Sequence, residues 1–265
     1  MRTQRGVTLI ELVMVIVVTG IIAAGVAVFI QRPVEGYIDA GRRAALTDEA
    51  DTALRRITRD LRTALPNSIR VDASGKFIEY IETTGGGRYR AEPDSGGGGD
   101  ILDFTAADTS FDVLGPAPAN GNHVVVYNLF NSGTVSNAYS GDNRAALTSV
   151  GASVVFSSTL FPESSPARRF HIVSGPVTYG CTGGQLLRYS GYAYNEPQVA
   201  PPVGGSSAVL AANVDTAACS FVYDAGSLGE RNGTVSITLQ INSVAAGGGV
   251  ERIRLFQQAQ VGNAP

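Results

Sequence analysis

The stretch GVTLIELVMVIVVTGIIAAGVAVFIQRP, residues 6–33, decides how the chain is built. From Val7 to Ile30 it holds 24 residues and one charged side chain, Glu11. As a helix rising 1.5 Å per residue this is about 36 Å, enough to cross a hydrocarbon core of about 30 Å. The preceding MRTQR is basic, so the positive-inside bias leaves the start in the cytoplasm and everything after Arg32 outside. A cleaved export signal does not fit, because its apolar core runs about 7–15 residues. A plain anchor fits the length but not Glu11, since an acid within a spanning helix costs about 2.5–3.5 kcal/mol even on lenient scales. A carboxylate in that place needs a partner.

Beyond the span, Pro33 permits a kink. Leu46, Ala50, Leu54, Ile57, Leu61 and Leu65 then recur at steps of three and four, one face of an amphipathic helix. Pro66-Asn67 supplies the expected stop. Arg55, Arg56, Arg59 and Arg62 fall off that stripe, as a solvated face or as a contact for acidic neighbours.

After Asn67 the pattern turns to short strand-like runs: SIRV, FIEYIET, ILDFTA, HVVVYNLF, SVVF, FHIVSGPVTYGC, QLLRYSGYAY, CSFVYD, TVSITLQIN and VERIRLFQQAQ. The cleanest is Thr234 to Asn242, where Val235, Ile237, Leu239 and Ile241 alternate with polar residues as a half-buried strand does. It is expected to turn back through SVAAGGG into the last run as an antiparallel hairpin. Glycines at 85–87, 96–99 and 247–249 read as exposed loops. The expected fold is α+β, a long N-terminal helix packed on a β-rich, mainly antiparallel head.

The 265 residues suffice for one sizeable core. The part after Arg5 carries 18 Lys and Arg against 23 Asp and Glu, which speaks against a nucleic-acid partner. Cys181 and Cys219 lie too far apart for a CxxC metal or redox pattern. Outside the cytoplasm their natural reading is a structural disulfide worth roughly 3–4 kcal/mol; in a reducing compartment they are two thiols.

RGVTLIELVMVIVVTGII resembles the N-terminus of type IV prepilins and pseudopilins: a short basic leader ending in Gly, an apolar residue, then Thr-Leu-Ile-Glu-Leu. Val7 stands where the family usually has Phe. The resemblance implies a leader (1–6) cut after Gly6 by a prepilin peptidase, with Val7 as the new, N-methylated terminus. It implies a filament-core helix (7–32), an amphipathic stalk (33–66) and an external head (67–265). Glu11 becomes an assembly contact that meets a neighbouring subunit's terminal amine, because an unpaired carboxylate in an apolar core is costly and a paired one is held. The chain would sit in the bacterial inner membrane, head in the periplasm, before joining a pilus or pseudopilus with other pilin subunits and minor pilins. Gly20 and Gly25 either allow local melting of the helix during packing or are ordinary membrane-helix glycines.

Two further stretches, ALRRITRDLRTALPNSIRV and RFHIVSGPVTYGCTGGQLLRYSGYAYN, are similar to MshO-type minor pilins of mannose-sensitive haemagglutinin pili. The first also resembles J-type pseudopilins of type II secretion. A membrane-tethered binding protein or adhesin remains a reading of another class.

Catalytic sets are not evident. PDSGG at 93–97 resembles the serine-protease nucleophile loop, but both histidines, His123 and His171, follow it where the enzyme order needs one upstream. The sequence has no GxSxG, HExxH or phosphate-binding loop. Asp94, Asp100 and Asp103 flank a glycine loop without the spacing of an EF-hand, and no zinc-ligand spacing is present. No cofactor, metal or catalytic residue is expected.

Overall fold

The computed structural model describes residues 6–133, 135–226, 232–244 and 249–265. A single helix, α1 (Leu9–Leu61), opens the chain with 53 residues, about 80 Å of helix. Thr8 caps it: its backbone is extended and its hydroxyl accepts the N–H of Glu11 at 3.3 Å. The helix runs unbroken across Pro33, which forfeits one backbone bond.

α1 ends at Leu61, short of the Pro66-Asn67 stop expected from sequence. The reason lies in the sheet. The Leu65 N–H donates to Ile81 O at 2.8 Å and the Thr83 N–H to Thr63 O at 3.0 Å. A strand edge thus captures the backbone before proline can stop it, and Leu65 is buried from beyond the helix end.

Twelve strands follow among the described residues: β1 (Arg70–Val71), β2 (Phe77–Arg88), β3 (Asp108–Asp112), β4 (His123–Val126), β5 (Arg144–Val150), β6 (Ser153–Thr159), β7 (Arg169–Thr182), β8 (Gln185–Ser190), β9 (Ser206–Ala211), β10 (Ser220–Asp224), β11 (Asn232–Val244) and β12 (Val250–Gly262). Every ladder is antiparallel. Nine strands form one sheet, β1-β2-β7-β4-β5-β6-β3, with β8 and β9 added on the later half of β7; β10-β11-β12 form a second.

The larger sheet curls back on itself. Tyr89, just past β2, bridges Val113, just past β3, and the Leu114 N–H donates to Arg88 O. The curl encloses an aromatic core of Phe111, Phe156, Phe161 and Phe170, with Phe111 and Phe170 ring centroids 4.9 Å apart. The other core is built on the helix. Leu46, Ala50, Leu54, Ile57 and Leu61 meet both sheets, including Val235, Ile237, Leu239 and Ile241 of β11 and Tyr80 and Tyr179 of β2 and β7. A disulfide between Cys181 in β7 and Cys219 just before β10 ties the two sheets together.

Three differences from the sequence reading have physical causes. ILDFTA is a turn, in which Asp103 accepts the Thr105 N–H at 2.7 Å, and the strand is the next run, DTSFD. β5 and β9, RAALTSV and SSAVLA, were not expected because alanine and serine carry little strand signal. Gly85–Gly87 are strand residues of β2, not an exposed loop. A Cβ on Gly86 would come 2.7 Å from Phe170 O and one on Gly85 2.9 Å from Ala119 N. Of the other glycine stretches, 96–99 is a loop, and 247–248 lie outside the described residues.

Candidate assembly surface along the N-terminal helix

The segment Leu9–Ala27 has a mean hydropathy of 2.6, and none of it is buried. It is apolar all round except at Glu11, where the sequence placed the only charge. The apolar exposure continues past the span to Val34, Tyr37 and Ile38, with Tyr37 82% exposed. From Leu9 to Ile38 the helix rises about 44 Å, more than a hydrocarbon core of about 30 Å can cover. Gly20 and Gly25 have no neighbour within 4 Å of where a Cβ would stand, so nothing within the chain requires glycine there.

Thr8 is a helix cap that the sequence reading passed over. Thr8-x-x-Glu11 is the spacing of a capping box, and the structure forms its first half. Among the described residues the Glu11 carboxylate makes no hydrogen bond. It lies in the first helical turn, where the helix dipole favours negative charge.

Below the apolar half, polar contacts fasten the helix to the head. Arg42 pairs with Asp39 at 3.2 Å and donates to Val244 O at 3.0 Å, and Arg43 pairs with Glu251. Glu49 accepts the Ala212 N–H at 2.7 Å. Asp60 accepts the Tyr179 hydroxyl and lies 3.6 Å from Arg188. Of the helix arginines, Arg55 pairs with Asp51 at 2.6 Å, while Arg56, Arg59 and Arg62 are exposed and make no ion pair among the described residues.

In the head, a buried pair was invisible to sequence reasoning. Arg70 meets Glu79 at 2.6 Å, lies 3.6 Å from the centre of the Tyr139 ring, and donates to the carbonyls of Asn195 and Glu196. Burial pushes the Glu79 carboxyl above its ordinary value against the pull of Arg70. The group pins the loop after β8 and offers no open substrate position.

The other polar residues singled out from sequence do not come together. Asp94 accepts the N–H groups of Gly96 and Gly98, which hold its carboxyl below the usual range. Asp100 instead accepts from the Ser110 hydroxyl. Among the described residues no group of three or more His, Cys, Asp or Glu side chains is placed to hold a metal. Among the described residues no hydrogen bond joins Ser95 to either histidine. His123 and His171 are both held down to about 4, chiefly by burial and further by Arg144 and Arg169 respectively, so both are neutral at pH 7.

The arrangement defines a class: a chain with one long helix, half bare and apolar and half embedded in a β-rich body. Residues 1–27 match the family described as the prokaryotic N-terminal methylation motif. That match supports a type IV pilin-like protein, anchored in a membrane by a single helix. No curated protein and no solved structure gave a match.

Proposed function

We propose that the chain is a minor pilin, a structural subunit that assembles or primes a type IV pilus of the mannose-sensitive haemagglutinin class. A prepilin peptidase removes residues 1–6 by cutting after Gly6, and the amine of Val7 is N-methylated. The freed helix leaves the inner membrane for a filament core made with other pilin subunits. There Glu11 meets the terminal ammonium of a neighbour, which relieves the penalty of a lone carboxylate only at one axial height. The chain is a structural component rather than an enzyme.

The observation that carries this reading is the wholly unburied span Leu9–Ala27 with its single carboxylate, inside the matched methylation motif. Mass spectrometry of the membrane-extracted chain tests it. The expected terminus is Val7 bearing one added methyl; a chain beginning at Met1, or cut beyond the apolar run, removes the amine that Glu11 is assigned to meet. Glu11→Ala is expected to insert normally and to fail to enter filaments.

The resemblance of residues 53–71 to J-type pseudopilins favours a second reading, a component of a type II secretion pseudopilus. Deletion separates the two: loss of surface pili supports the first, and loss of export of folded enzymes with pili intact supports the second.

A further inference from the structure

Arg88 and Arg169 stand directly opposite each other across the β2–β7 ladder, both exposed. Like charges at such a cross-strand position destabilise a sheet. Neither makes an ion pair among the described residues, and the next pair on the same face, two residues along, is a bare glycine, Gly86, against His171. Two grooves of about 560 and 540 Å³ meet here and share Thr83, Arg169 and His171. Arg88 lines the first and Arg62, just past the helix end, lines the second. Among the described residues no carboxylate side chain lines either groove. The local positive potential is also felt by His171, whose ring the Arg169 charge helps to keep neutral.

The complement lies on the same chain. Residues 92–112 hold six carboxylates and no Lys or Arg. Glu92, Asp94 and Asp100 are exposed on it; Glu92 pairs with Arg168 at 2.6 Å, an exposed pair of the kind worth little, and among the described residues the Asp100 carboxylate accepts only from the Ser110 hydroxyl at 2.6 Å. A free polyanion is the poorer occupant, because a chain of net charge −3 repels it at long range.

We propose that the Arg62–Arg88–Arg169 groove is an interaction surface that takes the acidic 92–112 segment of a second copy of this chain. Because the two patches border each other, Glu92 pairing with Arg168 beside Arg169, a pair of copies can exchange the contact reciprocally, as a two-fold interface requires. The proposal does not depend on leader cleavage or on Glu11.

Sedimentation velocity of the full chain in detergent micelles tests it. The wild type is expected to self-associate at low salt and to separate as salt is raised. R88E/R169E and E92K/D100K should each weaken association by at least about tenfold, the scale of close charge pairs, with unchanged thermal melts. Mixing the two variants should restore pairing, since one keeps the acidic patch and the other the basic groove. Association indifferent to salt or to R88E/R169E, no association of the wild type, or no recovery on mixing would overturn it. A duplex DNA probe held by the wild type and lost from R88E/R169E would also overturn it, by making the groove a nucleic-acid site.

Discussion

Val17 and Leu54 are both aliphatic residues of one helix, yet Val17 is 53% exposed and Leu54 is 2% exposed. Around Val17 the helix is greasy on every side, the pattern of a segment whose solvent is lipid or other apolar helices. Around Leu54 the grease is confined to a stripe, and two sheets close over it. A continuous helix thus serves two environments, and the point of change is set by what the rest of the chain can reach. The β11–β12 hairpin reaches as far as Arg42 and Arg43, and nothing described covers the helix above Ile38.

That contrast can be broken most sharply by truncation. Leu54→Ala should destabilise the head by about 2–5 kcal/mol, whereas Val17→Ala should leave its melting transition where it was. Thermal denaturation of the full chain in detergent, followed by near-ultraviolet signals from the head tyrosines, reads both. Equal effects would mean that the two halves unfold together.

Replacing Cys181 and Cys219 by serine should remove about 3–4 kcal/mol from the same transition. The helical signal of the apolar half should survive, because the disulfide touches only the sheets around the embedded half. Acidification sharpens the comparison from another side. An unfolded imidazole binds a proton near 6.5, and folded His171 resists until about 4. Its contribution to stability is therefore full above pH 6.5 and falls as pH drops, by at most about 2 kcal/mol at pH 5, and His123, also held to about 4, adds a similar loss. His171→Gln should remove about half of that slope in a pH series of melts, leaving the part that His123 carries. The smallest effect belongs to the apolar end: Thr8→Ala should loosen the first turn by about 1 kcal/mol, seen as faster exchange of the Glu11 amide with the head untouched.

The helix was legible because its periodicity is written locally. Leu46, Ala50, Leu54, Ile57 and Leu61 announce a face whatever covers it. β11 was legible for the same reason, with a period of two. What escaped depends on partners distant in sequence. Gly85–Gly87 read as a loop until Ala119 and Phe170 are seen pressed against them. Arg70 and Glu79 look like surface charges, and only the fold buries them together. On the helix, the span and Glu11 stood out by type and spacing, while the Thr8 cap was present in the same letters and went unread. The facing of Arg88 and Arg169 is set by strand register, which a single sequence does not state.

The absence of a break between the two halves of α1 has a mechanical meaning. A pull on the apolar end is not absorbed by a flexible tether, because the same rod continues into the head and carries Leu54, Ile57 and Leu61 between the sheets. Force arrives along the rod axis, as shear across the whole apolar stripe and the Arg43–Glu251 fastening, so no single contact can peel first. The disulfide closes the two sheets around that rod like a strap. Tension on the anchor is therefore resisted by the entire core at once, and the head moves as a rigid handle wherever its helix is drawn.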